Sequence, residues 1–321
     1  MPKPRVFVSR LIPEKGLSLL RDFCDTEIWN IDAPPTRDEL LMHMKDMDGL
    51  LCLLTERIDV QLMDAAPRLK VISNFAVGVD NVDVAAATAR KIPVGNTPGV
   101  LTDATADMAF ALLLSAARRV VEGEKYVREG KWITWSPQLF LGADLAGATL
   151  GLIGFGRIGQ AIAKRAQGFD IKVLYYDPTA QPAYGAHSAD LETLLRESDF
   201  VSLHVPLTDQ TRHIINANSL SKMKPSAVLV NTARGSVVDS VALYDALKSH
   251  RIFAAALDVT EPEPLPADSP LLELENCIIV PHLGSASRQT RDNMSLLAAQ
   301  NLIAGLKGER LPNCVNPQIY D

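Results

Sequence analysis

Thr149-Leu150-Gly151-Leu152-Ile153-Gly154-Phe155-Gly156-Arg157-Ile158-Gly159 is the stretch that decides the fold. An apolar run of strand length enters a G-x-G-x-x-G, and a helical pattern over 158–168 leaves it. The next apolar run, 171–176, ends in Asp177, roughly 20 residues past the glycines, as a dinucleotide fingerprint requires. Gly154 makes the tight turn, Gly156 lets a pyrophosphate approach the backbone, and Gly159 lets the helix pack close on the strand. The helix N-terminus then faces the phosphates. Asp177 is suited to accept a hydrogen bond from the adenosine 2′-hydroxyl and would repel a 2′-phosphate. Pro178-Thr179-Ala180 brings no arginine to offset that repulsion, so NAD(H) is expected over NADP(H).

Outward from this stretch, short β-rich runs alternate with helical patterns along the whole chain. Runs 5–9, 49–53 and 70–74 read as strands, with helical stretches at 17–23 and 37–44. Beyond 149–153, strands are expected at 172–176, 200–204, 227–231, 254–257 and 278–280, separated by helical segments such as 191–197 and 241–249. Strands apolar throughout and separated by helices imply parallel sheets covered on both faces. The expected class is α/β, with two doubly wound, Rossmann-like domains and a cleft between them. Residues 101–129 carry one long helical pattern, with Met108, Leu112, Leu113 and Ala116 on one side. A last helix near 289–306 follows the final strand and is placed to return to the first domain.

At 321 residues the chain has room for two cores. A net charge of −6 argues against nucleic acid or a membrane surface as partner, because a phosphate-tracking surface needs excess cations. The most apolar stretch, 109–117, is too short to span a bilayer, and the first residues read as a strand rather than a leader. Cys24, Cys52, Cys277 and Cys314 form no CxxC pair and read as reduced thiols. A cytoplasmic protein without a metal site is expected.

Three segments downstream of the fingerprint hold the ingredients of carbonyl reduction: Val230-Asn231-Thr232-Ala233-Arg234-Gly235, Leu257-Asp258-Val259-Thr260-Glu261-Pro262-Glu263-Pro264 and Ile279-Val280-Pro281-His282-Leu283-Gly284-Ser285. Each follows the carboxyl end of an expected parallel strand, where open α/β sheets place their ligand crevice. A nicotinamide would supply the hydride. The developing alkoxide needs a proton, for which histidine is suited, and His282 is the candidate donor. Glu263 is the candidate neighbour that holds the ring and favours its charged form. Arg234 has the fork that grips a substrate carboxylate and polarises a keto oxygen. His204 is expected only to line the cofactor crevice. Ser236 and Ser285 lack the strand–turn–helix elbow of a hydrolase.

These segments resemble the D-isomer-specific 2-hydroxyacid dehydrogenase family over nearly the whole chain, nearest its glyoxylate/hydroxypyruvate reductases. The likeness is densest from 257 to 311, including Asn293-Met294-Ser295-Leu296-Leu297-Ala298-Ala299. The resemblance implies reduction of small 2-keto acids, with Arg234, Glu263 and His282 catalytic. It implies a split substrate domain, 1–100 plus 288–321, and a nucleotide domain, 101–287. Cofactor contacts would come from Thr105, Arg157, Ile158, Asp177, Val205, Pro206, Thr211, Thr232, Ala233, Asp258 and Gly284, beside the three glycines. Substrate would meet Leu53 and the N–H groups of Val77 and Gly78, in Phe75-Ala76-Val77-Gly78-Val79-Asp80-Asn81. Trp135 is similar to the tryptophan that reaches the partner subunit's site in related reductases, which implies a homodimer.

Departures from the relatives sharpen these expectations. NADP-preferring relatives carry a small or basic cluster where Asp177-Pro178 stands, and phosphite dehydrogenases place a lysine where Val77 stands. Phosphoglycerate dehydrogenases often add a regulatory domain after the last helix, whereas this chain stops at Asp321. Two other readings stay open: a dehydrogenase for another acid, such as D-lactate, D-glycerate or phosphite, and a dinucleotide-sensing binding module like the corepressors that resemble this family.

Overall fold

A computed structural model describes residues 2–321. The chain divides into two compact units, Met1–Leu101 with Ala286–Asp321, and Thr102–Ser285. In the first unit, β1 (Arg5–Val8), α1 (Glu14–Phe23), β2 (Asp25–Ile28), α2 (Arg37–Met44), β3 (Gly49–Cys52), α3 (Val60–Ala65), β4 (Val71–Asn74), α4 (Val84–Ala89) and β5 (Val94–Gly95) alternate. The strands form a five-stranded sheet in the order β2-β1-β3-β4-β5, parallel at every pairing. Phe7, Leu50, Ile72 and Val94 face one buried layer with Leu40, Met44 and Leu62 from the helices. Apolar residues on both strand faces follow from helices covering the sheet twice.

The second unit holds α5 (Thr102–Ala117), α6 (Val120–Arg128), β6 (Thr149–Ile153), α7 (Arg157–Ala166), β7 (Lys172–Tyr176), β8 (His187–Ser188) and α8 (Leu191–Glu197). After them come β9 (Phe200–Leu203), α9 (Ala217–Lys222), β10 (Val228–Asn231), α10 (Ser240–Lys248), β11 (Ala254–Leu257) and β12 (Cys277–Ile279). Seven strands lie in the order β12-β11-β10-β9-β6-β7-β8, all parallel. Chain order reverses between β6 and β9, the place where such sheets open a ligand crevice. The α/β expectation holds for both units. The last helix, α11 (Arg288–Lys307), packs on α1, β3 and β4 of the first unit. A Cβ on Gly16 would stand 2.3 Å from the Ser295 carbonyl oxygen, so only glycine allows α1 and α11 to touch backbone to backbone.

One expectation needs correction. Residues 101–129 are two helices, because α5 stops at Ala117 and Arg119 turns left-handed with φ +53°. The Ala117 carbonyl, which a continuing helix would need, accepts instead from the Ala143 N–H at 2.8 Å. Arg119 is then held by Glu122 at 2.6 Å and lies 4.9 Å over the Phe140 ring. The edge strands β2, β5 and β8 also went unread: Asp25–Ile28 and His187–Ser188 carry no apolar run, and Val94–Gly95 is two residues long.

Cys24 and Cys52 are buried, Cys277 and Cys314 partly so, and none is bridged. Burial pushes the Cys24 thiol up to about 11 and the Cys277 thiol up to about 12, so both stay protonated near neutrality. Among the described residues no helix is long and apolar enough to cross a membrane, and no group of three His, Cys, Asp or Glu side chains is placed to hold a metal.

Candidate active site

The turn between β6 and α7 is shaped by what its glycines lack. Gly154 sits at φ +94°, and a Cβ there would stand 2.6 Å from the His204 carbonyl carbon and oxygen. A Cβ on Gly159 would stand 2.4 Å from the Gly154 carbonyl oxygen, so the helix could not close on the turn. Gly156 caps α7 with no side-chain bond, and nothing lies within 4 Å of where its Cβ would be. The first turn of α7 thus has no side-chain cap and open space beside Gly156, as a phosphate at a helix N-terminus would need.

Asp177 is tied into the same turn. Its Oδ2 accepts the Phe155 N–H at 2.9 Å, and its Oδ1 accepts the Thr179 N–H and hydroxyl at 2.9 Å each and the Ala180 N–H at 3.2 Å. Burial pushes this carboxyl up, but the donors of Phe155, Thr179 and Ala180 outweigh it and hold the group below the usual carboxylate range. Phe155 stacks on Tyr175 with centroids 4.1 Å apart, which locks the turn to β7. Glycine turn and carboxylate form one preset piece.

The remaining expected cofactor residues gather at the same sheet edge or beside it. Arg157 and Ile158 open α7, the first exposed and the second packed against the core. The loop after β9 carries Val205 and Pro206, and Thr211 shapes it by donating to the Pro206 carbonyl at 2.6 Å. His204 opens that loop with its Nε2 2.8 Å from the Ser202 hydroxyl. Burial pushes its ring down to about 3, so it stays neutral at working pH and is no proton donor. The Thr232 hydroxyl oxygen is buried without a partner among the described residues. Ala233 N–H bonds to the Asn231 side chain at 3.0 Å. Asp258 accepts the Leu283 N–H at 2.5 Å and the Gly284 N–H at 2.8 Å. A Cβ on Gly284 would stand 3.0 Å from that carboxylate and 3.4 Å from Thr105, so these three residues meet. Burial foremost raises the Asp258 carboxyl, against the two N–H bonds and the His282 charge, and Glu263 adds to the rise. An open helix N-terminus, an ionised Asp177 and an unpartnered buried hydroxyl fit a dinucleotide.

Arg234, Glu263 and His282 come from the loops after β10, β11 and β12. Asn231, fully buried at the end of β10, donates from Nδ2 to the Arg234 carbonyl at 2.8 Å and folds that loop tightly. Arg234 bonds from Nη1 to the Ala233 carbonyl at 2.7 Å. Gly235 follows because a Cβ there would fall 1.9 Å from the Thr260 carbonyl oxygen, where the two loops touch. Glu261 joins the Glu263 loop to the Thr211 loop through Arg212 at 3.2 Å and His213 at 3.3 Å. His282 takes a left-handed backbone, φ +53°, uncommon outside glycine, and its N–H bonds to the Asp258 carbonyl at 3.0 Å. Its Nδ1 lies 2.6 Å from Glu263 Oε1. Burial raises the Glu263 carboxyl, but the bond to His282, its charge, the Thr260 N–H and the Arg234 charge together hold it below the usual range. A carboxylate, an imidazole and a guanidinium thus share one edge of this sheet. Asn231 and Gly235 were missed in the sequence, where an asparagine at a strand end is common.

In the first unit, Leu53 lies in the loop after β3, and Val77 and Gly78 in the loop after β4. Val77 is 38% exposed, and the N–H groups of Val77 and Gly78 donate to no described residue. Trp135 stands 77% exposed on the segment after α6.

Residues 110–284 match the family described as D-isomer specific 2-hydroxyacid dehydrogenase, NAD binding domain. The chain belongs to the D-isomer specific 2-hydroxyacid dehydrogenase family. This 2-hydroxyacid dehydrogenase is 52% identical over 322 residues to the glyoxylate reductase of Korarchaeum cryptofilum, covering 99% of this chain and 97% of that protein. It is similar to the crystal structure of TT0316 protein from Thermus thermophilus, with TM-score 0.93, 50% identity and coverage of 97% of this chain and 99% of that one. It is also similar to the NADPH-dependent glyoxylate/hydroxypyruvate reductase of Sinorhizobium meliloti, with TM-score 0.85, 36% identity and 98% of each chain covered. The glycine turn, Arg234, Glu263 and His282 all lie within the residues that match the family.

Proposed function

We propose that this 2-hydroxyacid dehydrogenase reduces glyoxylate, and hydroxypyruvate beside it, to the corresponding 2-hydroxy acids with NADH. The observation that carries the reading is the 2.6 Å contact of His282 Nδ1 with Glu263, on loops adjoining Arg234 at the sheet edge that holds the dinucleotide turn. The relative 52% identical to this chain, a glyoxylate reductase, supports the substrate class. Residues 1–100 with 288–321 bind the acid, and 101–287 bind the dinucleotide.

NADH, when bound, supplies the hydride that reaches the keto carbon. With Nδ1–H committed to Glu263, Nε2 is the nitrogen that carries the transferable proton. His282 gives that proton to the carbonyl oxygen as the C–O bond becomes single, and recovers it from solvent. Glu263 stays ionised, orients the ring and stabilises its positive form. Arg234 holds the carboxylate and polarises the keto oxygen. Leu53 and the Val77 and Gly78 N–H groups hold the substrate's acid end. The ionised Asp177, with its four donors already in place, favours a ribose hydroxyl over a phosphate dianion, hence NADH over NADPH.

A cytoplasmic homodimer completes the proposal. Trp132 is 60%, Ile133 94%, Trp135 77% and Leu141 63% exposed, and Val120 and Val121 at the start of α6 are exposed as well. So large an apolar display suits a second copy of the chain, into whose site Trp135 reaches. Equilibrium sedimentation checks this: a monomer at micromolar concentration contradicts it.

Loss of 340 nm absorbance tests the activity, with NADH and NADPH each run against glyoxylate, hydroxypyruvate and pyruvate. Phosphite oxidation is followed in the opposite direction, as a gain of absorbance with NAD. Fast turnover of the first two acids with NADH is expected. Turnover of pyruvate alone moves the reading to a lactate dehydrogenase, and equal kcat/KM with NADPH removes the role given to Asp177. Tight NADH binding without turnover of any acid favours a sensor.

A further inference from the structure

The backbone through 76–79 is held by three successive carbonyl captures. The Ala76 carbonyl accepts the Thr97 N–H at 2.9 Å. The Val77 carbonyl accepts Asn96 Nδ2 at 2.8 Å, and the Gly78 carbonyl accepts Asn74 Nδ2 at 2.8 Å. In a planar trans peptide the N–H points opposite to the C=O of the same unit. Taking the Ala76 and Val77 carbonyls into the fold therefore turns the Val77 and Gly78 N–H groups the other way, and these are the donors without a described partner. Two adjacent N–H groups without an internal acceptor offer an anion two donors.

The captures are themselves braced. Asn74, fully buried at the end of β4, also donates to Asn81 Oδ1 at 3.1 Å. Asn81 passes the link on, donating from Nδ2 to the Leu53 carbonyl at 2.9 Å and the Glu56 carbonyl at 3.0 Å. Glu56, 3% exposed, accepts the Leu53 N–H at 2.7 Å and the Ser9 hydroxyl at 2.5 Å. One relay of two amides and a carboxylate, buried at Asn74 and Glu56, thus sets the loop after β4 and the loop after β3 against each other. A buried amide such as Asn74 costs stability unless it is satisfied, which makes its presence at a loop junction informative.

We propose that Asn74, Asn81 and Asn96 are positioning residues, which hold the Val77 and Gly78 N–H groups and the Leu53 loop in the geometry that receives a substrate carboxylate. They touch no reacting atom and act through the backbone they hold. This rests on the acid-binding role proposed above for Leu53, Val77 and Gly78.

The test compares Asn81→Ala and Asn96→Ala with wild type in the full chain, with Asn74→Ala added if it folds. In folded variants, glyoxylate KM is expected to rise on the order of tenfold, the equivalent of one lost hydrogen bond. kcat is expected to change less, and the NADH Kd from nicotinamide fluorescence to hold within twofold. Loss of folded protein alone would lower apparent kcat and leave KM where it was. A glyoxylate KM within twofold of wild type in both variants, or KM and NADH Kd rising together, overturns the proposal. Amide hydrogen exchange gives an answer that needs no turnover: peptides spanning 53–57 and 75–82 are expected to exchange faster in Asn81→Ala, with 149–177 unchanged. Unchanged exchange in 53–57 and 75–82 also overturns it. Failure of wild type to turn over any keto acid sinks the proposed activity, and exchange still decides the positioning claim.

Discussion

The two sheets of this 2-hydroxyacid dehydrogenase fix their carboxyl-end loops with different chemistry. In the second unit the turn after β6 works through missing side chains at Gly154, Gly156 and Gly159, and its neighbours contribute charge: Asp177, Arg234, Glu263 and His282. In the first unit the loops after β3 and β4 are held by neutral amides, Asn74, Asn81 and Asn96, with the buried Glu56 as anchor. A surface that must polarise a carbonyl and move a proton needs ionised groups. One that only receives an anion is served by oriented backbone N–H groups, whose partial charges carry no titration.

That contrast can be broken by mutation. His282→Ala is expected to lower kcat by roughly 10²–10⁴, through loss of the proton donor, while NADH affinity stays near wild type. Steady-state kinetics with fluorescence titration check this, and a kcat within tenfold of wild type would contradict the assignment. Arg234→Ala is expected to cost on the order of 10²-fold in kcat/KM, with KM rising and kcat falling, because the guanidinium meets both ground and transition states. An unchanged KM would limit Arg234 to the transition state. Asp177→Ala is expected to move the NADPH-to-NADH ratio of kcat/KM about tenfold toward NADPH by removing a charge that repels phosphate. No movement in that ratio would leave Asp177 only as a brace for the backbone of Phe155, Thr179 and Ala180. The asparagine variants belong to the other half of the contrast, with effects in substrate KM and none in cofactor affinity.

The same division explains what was legible. The fingerprint could be read because glycines at fixed spacing, between an apolar strand and a helix, are themselves the signal. Arg234, Glu263 and His282 were legible as charged residues just beyond apolar strands. The asparagine relay was not, because Asn81 reaches back to Leu53 and Asn96 to Val77, and an asparagine in a loop is ordinary composition. Gly235 reads as a turn residue until the Thr260 carbonyl is found against it. The break at Arg119 was hidden for the same reason: the Ala117 carbonyl is claimed by Ala143, well down the chain, while helix-forming residues run on across the break.

The smallest expected change tests the central claim most directly. Burial raises the Glu263 carboxyl, but the bond and charge of His282, the Thr260 N–H and the Arg234 charge hold it below the usual carboxylate range, so it keeps its charge to lower pH than a free carboxyl. Replacing it with glutamine keeps the shape and removes the charge that stands 2.6 Å from His282 Nδ1. The measurement is kcat/KM for glyoxylate against pH, wild type beside Glu263→Gln. Wild type is expected to lose kcat/KM only below the usual carboxylate range, where Glu263 takes up a proton, and the variant is expected to lack that acidic limb and to run about tenfold lower near neutrality. Superimposable profiles, or the same acidic limb persisting in the variant, would contradict a proton donor held by the charge of Glu263.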